Sequence, residues 1–129
     1  MARLHDLVFD CARPAAMARF WAAALDDYAV APYDDEELAR LRALGISSTE
    51  DDPTVLVEPA HGGPRLFFQL VPEAKSVKNR VHIDLLAVDP EAEIRRLTAL
   101  GASVQARYPD HTLLTDPEGN EFCLCPTDR

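Results

Sequence analysis

The chain opens on a strict alternation. Across residues 4–11, Leu7, Phe9 and Cys11 fall on one side and Asp6, Val8 and Asp10 on the other, which predicts a half-buried strand. Pro14 then suits the first turn of a helix, and Met17, Phe20, Trp21, Ala24 and Leu25 recur at helical spacing behind it. Residues 28–32 read as a short strand. The segment DDEELARLRALG, residues 34–45, has acidic residues in its first turn and Gly45 as a stop, which predicts a helix with the stripe Leu38, Leu41 and Leu44. Two strands follow at 54–58 and 65–71, a hairpin around His61-Gly62-Gly63-Pro64. Alternation returns over 80–88, with Val81, Ile83 and Leu85 on one side and His82, Asp84 and Leu86 on the other. A helix over 90–100 ends at Gly101, strands follow at 102–107 and 112–116, and the turn Asp116-Pro117-Glu118-Gly119 leads into a last strand at 120–125.

This order contains a repeat. RPAAMARFWAAAL and DPEAEIRRLTAL each follow a strand, and LFFQLVPE matches NEFCLCPT when Pro72 is set on Pro126, placing Phe68 on Phe122, Gln69 on Cys123 and Leu70 on Leu124. Each half reads strand, helix, strand, strand, strand. The expectation is one α+β domain over 1–129 made of two βαβββ modules, 1–74 and 79–129, with an extra helix inserted at about 34–45 of the first. Two such half-sheets are expected to form one cupped mixed sheet with a cleft between them.

A helix that follows a strand packs its apolar stripe on the sheet, so the apolar strand faces are assigned to the helix side: Leu7, Phe9 and Cys11, then Leu66, Phe68 and Leu70, then Val81, Ile83 and Leu85, and finally Phe122 and Leu124. Phe20 and Trp21 are expected to pack there too. The opposite face mixes Asp6, Val8 and Asp10 with Arg65, Phe67 and Gln69, and His82, Asp84 and Leu86 with Glu121, Cys123 and Cys125. That blend of carboxylate, imidazole, amide, thiol and apolar groups has the character of a ligand-binding wall.

Composition narrows the partners. At 129 residues and 47% hydrophobic the chain can bury one core, and no run approaches the ~20 apolar residues that span a bilayer. A formal charge of −9 repels phosphate backbones and anionic membranes, and Lys75, Lys78 and Arg80 read as a solvated linker. Nucleic acid and membrane are therefore not expected as partners. The start MARLHDLVFD has no secretory pattern, so a cytoplasmic location is expected. Three cysteines in such a chain read as free thiols. His61 and His111 fall at expected turns and are assigned to solvent.

The paired modules, the element HIDLLAVDPEAEIRRLTALGA and the turn-strand DPEGNEF resemble the vicinal oxygen chelate superfamily of glyoxalases, bleomycin-resistance proteins and extradiol dioxygenases. DCARPAAMARFWAAAL, PRLFFQLVPE, KNRVHIDL and DPEGNEFCLC are most similar to small glyoxalase-like domains. The resemblance implies a homodimer that binds a small organic molecule. It also implies, in metal-dependent members, one ligand on the first and one on the last strand of each module. Here those positions fall on Asp6, Gln69, His82 and Cys123, with His5 and Glu121 nearby. Such a set replaces hard ligands with an amide and a soft thiol, so no cofactor is expected; a divalent metal, if held at all, would fall to Asp6, Gln69, His82 and Glu121.

The residues assigned to ligand binding are thus Asp6, Asp10, Phe67, Gln69, His82, Asp84, Glu121 and Cys123. Three functions stay open. One is a binding protein that performs no chemistry. The second is a lyase, isomerase or hydrolase of a small carbonyl compound, with His82 as base and Asp84 or Asp6 as its orienting carboxylate, or with the degenerate metal set. The third is an interaction module, which requires an exposed apolar patch instead of a cavity.

Overall fold

The computed structural model describes residues 1–127; Asp128 and Arg129, the last positions of the expected second module, lie outside the described residues. The chain divides into two compact units, Met1–Ala74 and Lys75–Arg129.

The first unit runs β1 (Asp6–Cys11), α1 (Pro14–Ala24), β2 (Tyr28–Val30), α2 (Asp35–Ala43), a single 3-10 turn (Thr49–Asp51), β3 (Thr54–Pro59) and β4 (Arg65–Leu70). Its sheet has the order β1-β4-β3-β2, with β1 parallel to β4 and the other pairs antiparallel. The second unit repeats the order with β5 (Asp84–Ala87), α3 (Pro90–Leu100), β6 (Ser103–Arg107), β7 (Thr112–Thr115) and β8 (Glu121–Pro126), arranged β5-β8-β7-β6. Both units are βαβββ modules with mixed sheets, and the inserted helix sits in the first, as the alternation and the repeat predict.

Burial follows the expected faces. In the first unit α1 presents Met17, Ala18 and Trp21, all at 1% exposure or less, to a sheet face that buries Val55, Val57, Leu66 and Phe68. Phe9 holds that packing together, its ring centroid 5.5 Å from Trp21 and 5.0 Å from Phe68, and Phe20 meets Trp21 edge-on. In the second unit Ile94 and Leu97 are the buried residues of α3, whose neighbours are β5, β6 and β8, and Leu114, Phe122 and Leu124 complete the core. Strand β8 is buried on both faces, since Cys123 and Cys125 are enclosed as well.

Three expectations are corrected. Leu70, assigned to the helix side, is half-exposed at the frayed end of β4. The strand expected over 80–88 begins only at Asp84, leaving Val81 exposed instead of beneath a helix. Just before the expected strand the Asn79 N–H donates to the Glu121 side chain, and backbone pairing with β8 starts where the Cys123 N–H donates to Ile83. His111 is not a solvated turn residue: it is part-buried, 2.7 Å from Asp110 and stacked on Tyr108.

The inserted helix is anchored by charge more than by its leucines. Leu41 is buried but Leu44 is exposed, and the helix is capped by the Asp34 carboxylate, which accepts the Glu37 N–H. Arg40 donates to Asp52, a carboxylate only 2% exposed that also accepts from the Tyr33 hydroxyl at 2.6 Å and the Thr54 N–H at 3.0 Å. Burial and the neighbouring carboxylate push the Tyr33 phenol well above its ordinary range, so it serves Asp52 as a donor.

Candidate functional site

Each sheet has one face covered by its helix, and the candidate residues lie on the other. Strand pairing decides which of them meet. In the first unit the parallel register places Asp6 beside Arg65, Val8 beside Phe67 and Asp10 beside Gln69. Asp6 is consumed by this arrangement. Arg65 donates to both its oxygens, Nε at 2.9 Å and Nη2 at 3.3 Å, while its guanidinium lies 5.2 Å over the Phe67 ring. The arginine holds the Asp6 carboxyl below its usual range, with His5 Nδ1 at 3.3 Å adding to the effect. Asp10 and Gln69 are exposed at the far end of the strands, and Val8 stands uncovered between them and the ion pair at 55% exposure.

The second unit arranges its row differently. Asp84 is the register partner of Cys123, and Leu86 of Cys125. His82, which the alternation put on the strand, precedes it, yet its Nδ1 lies 3.5 Å from the Asp84 carboxylate. Both side chains are open to solvent at 42% and 43% exposure. The donor atoms of His82, Asp84 and Cys123 all fall within 4.8 Å of one another. Glu121, two residues along β8 from Cys123, is engaged elsewhere: Lys75 Nζ donates at 3.0 Å and the Asn79 N–H at 3.0 Å. Burial would raise this carboxyl, but the Asn79 amide and the Lys75 ammonium outweigh it and hold the group at about 2. The turn before β8 is built for this. Buried Asp116 accepts from the Glu118 and Asn120 amides and the Asn120 side chain, and Asn120 in turn accepts from Asn79.

The metal set implied by resemblance does not fit these side chains. Asp6 and Gln69 sit four residues apart on the β1–β4 ladder, roughly 13 Å along the strand at ~3.3 Å per residue, too far to share an ion. Asp6 is bound to Arg65 and Glu121 to Lys75. His82, Asp84 and Cys123 are brought together instead, and Asp84 was assigned no metal role from the sequence. Arg65, Lys75 and Asn79 as partners of the two carboxylates were missed as well. Arg65 carried a signal, since it shares the uncovered face with Asp6.

The described residues also include a depression of about 240 Å³ in the first unit, at the start of α1, lined in part by Ala12, Arg13, Ala16, Glu50, Asp51 and Leu70. None of the candidate residues borders it. The helices of the described residues are too short and polar to cross a membrane.

Comparison with known proteins agrees with this architecture. Solved structures similar over nearly the whole chain include a glyoxalase/bleomycin resistance protein/dioxygenase family enzyme from Burkholderia phytofirmans, 14% identical with a TM-score of 0.66, covering 97% of this chain and 98% of that one. A fosfomycin resistance protein from Mesorhizobium loti is 13% identical with a TM-score of 0.64, covering 97% and 91%. The trypanothione-dependent glyoxalase I of Leishmania major is 13% identical with a TM-score of 0.62, covering 99% and 88%. At these identities the likeness is one of fold. No curated protein matches the chain. The Glyoxalase-like domain family matches residues 6–125, the span from the first residue of β1 to within β8, and the chain belongs to that family, within the vicinal oxygen chelate superfamily.

Proposed function

We propose that the protein binds a small organic molecule on the uncovered faces of its sheets, without the four-ligand metal set of metal-dependent relatives. One observation carries the reading: Val8 and Leu86, on the uncovered strands, stay 55% and 63% exposed beside polar side chains that can orient a ligand, Asp10 and Gln69 in one unit and His82 and Asp84 in the other. An uncovered apolar residue among polar anchors gives a ligand both contact area and direction. The fosfomycin resistance protein and the glyoxalase I, whose names refer to small molecules, support the ligand class. The reading also takes the protein to be a cytoplasmic homodimer, which light scattering on the purified chain tests for assembly.

The binding claim is tested by a thermal-shift screen of small carbonyl and phosphonate compounds, followed by amide chemical-shift mapping of each hit. Hits are expected to move Val8, Asp10, Asp84 and Leu86. Hits that map only to the helix-covered faces or to the depression at α1 contradict the proposal.

The short His82–Asp84 distance favours a second reading, turnover of a carbonyl compound with His82 as base and Asp84 orienting it. It predicts that His82→Ala abolishes turnover while the variant stays folded; unchanged kinetics exclude it.

A further inference from the structure

We propose that Cys123 is a nucleophilic thiol that adds to small α,β-unsaturated carbonyl compounds, with His82 as its base and Asp84 as the residue that positions the imidazole. The proposal rests on the reading that a small organic molecule binds on the uncovered faces, and it names the class of molecule for the second unit. Thiol, imidazole and carboxylate converge there, with their sulfur, nitrogen and oxygen atoms within 4.8 Å of one another. The backbone fixes two of the three. Parallel pairing sets Asp84 beside Cys123, and the Cys123 N–H donates at 3.0 Å to Ile83, the residue between Asp84 and His82. With His82 Nδ1 3.5 Å from the Asp84 carboxylate, Nε2 is the ring nitrogen that accepts a proton. The imidazole is 42% exposed and free to turn, and separations of this kind close once the reacting molecule is seated.

The three cysteines are not equivalent. Cys125 shares β8 but has Leu86 as its register partner and is 0% exposed, Cys11 is 3% exposed in the first unit, and Cys123 is 8% exposed beside a base and a carboxylate. The charge of Asp84 disfavours a standing thiolate, so the thiol hands its proton over as the new bond forms. A soft sulfur suits the soft β carbon of an enone, and Leu86, 63% exposed two residues along β5, offers the carbon skeleton a contact. In the step itself the Sγ–H bond breaks and its proton goes to His82. The sulfur electron pair forms the bond to the β carbon, the C=C pair moves toward the carbonyl, and the imidazolium returns the proton to the α carbon. Nothing is oxidised or reduced, and no further reactant is consumed.

The test incubates the full chain with methyl vinyl ketone and follows addition by intact mass, with peptide mapping to locate it. The expected result is a first adduct on Cys123, formed at least about tenfold faster than on Cys11 or Cys125. His82→Ala is expected to slow it at least about tenfold, with added free imidazole restoring part of the rate, a rescue that a merely structural histidine does not give. Asp84→Asn is expected to slow it less, with Asp84→Glu recovering the rate, and His61→Ala, at an exposed bend of the first unit, to leave it unchanged. His82 and Asp84 are open to solvent, so these variants leave the core intact. A first adduct on Cys11 or Cys125, an unchanged rate in His82→Ala, or a slowed His82→Ala that imidazole does not restore overturns the proposal. Absence of an adduct while shift mapping shows compounds bound at Asp84 and Leu86 overturns this proposal alone; absence of both overturns the binding reading with it.

Discussion

The two units share one topology and spend it differently. In the first, α1 packs Trp21 and Phe20 with Phe9 and Phe68 into an aromatic core, and the uncovered face closes its polar row with the Asp6–Arg65 pair. In the second, the helix buries only Ile94 and Leu97, and the uncovered face keeps His82, Asp84 and Cys123 converged. The contrast separates scaffold from chemistry. A duplicated module needs its helix-covered face to stay apolar, whereas its other face is free to diverge, here into the Asp6–Arg65 pair of one unit and the converged His82, Asp84 and Cys123 of the other.

The sharpest test of the scaffold half of this contrast removes one equivalent residue from each core. Trp21 and Leu97 occupy matching positions in α1 and α3, at 1% and 0% exposure. Trp21→Ala is expected to cost about 3–5 kcal/mol and Leu97→Ala about 2–5 kcal/mol, with the tryptophan variant the worse because three aromatic rings lose or loosen their packing. Urea denaturation measures both. A larger loss in Leu97→Ala breaks the claim that the first unit carries the heavier core.

The second expected effect concerns the helix that only the first unit has. Asp52 takes donors from Tyr33, Arg40 and Thr54 while almost fully enclosed, so Asp52→Ala strands three polar groups at once. A loss of about 2–3 kcal/mol is expected, with faster amide exchange along α2 as its local sign. Exchange that quickens in the second unit instead shows that α2 is not what Asp52 holds.

How much of this was legible follows from which interactions are local. The helices, the hairpin turns and the covered faces, apart from Leu70 and Val81 at strand ends, were readable because their periods of 3.6 and 2 depend on neighbouring residues. Thus Trp21, Phe68 and Phe122 were placed correctly beneath or within helix-covered faces. The inserted helix was readable from its acidic first turn and Gly45. The register of β1 on β4 was not, because parallel strands are joined by long crossovers that leave no trace of alignment in either strand. Setting Gln69 on Cys123 was sound as a repeat, yet Gln69 lies beside Asp10 and not beside Asp6, and no pattern within either strand reveals that. For the same reason the Glu121–Asn79 bond was hidden, since it joins residues far apart in sequence through a side chain.

A smaller effect distinguishes how the two helices stop. α1 ends on Leu25 in extended backbone at φ −100°, which any residue adopts, whereas α3 ends on Gly101 at φ 124°. A Cβ at Gly101 meets the Pro117 ring at 3.2 Å as well as the backbone strain. Gly101→Ala is expected to cost about 1–2 kcal/mol and Leu25→Gly less than about 1 kcal/mol, both read from urea midpoints. Equal costs remove this difference between the units.

The smallest effect tests whether the first unit's polar row is closed by charge. Arg65 holds the Asp6 carboxyl below its ordinary value of 3.8, so folding is favoured by the ionised group. The sign follows from linkage: a carboxyl with a depressed folded-state pKa contributes its stability above the unfolded value, and that contribution fades as pH falls below 3.8 toward the folded one. Asp6 is a part-exposed surface partner, so the change in stability is slight and screened by salt. Its titration is the better readout. Carboxyl-detected NMR is expected to show Asp6 titrating below 3.8 in the wild type and returning toward that value in Arg65→Ala. An Asp6 that titrates identically in both proteins means that the pair does not hold in solution. The first unit's row then keeps no ion pair in solution, and the two faces differ by the imidazole of His82 and the thiol of Cys123, which the first unit's row lacks.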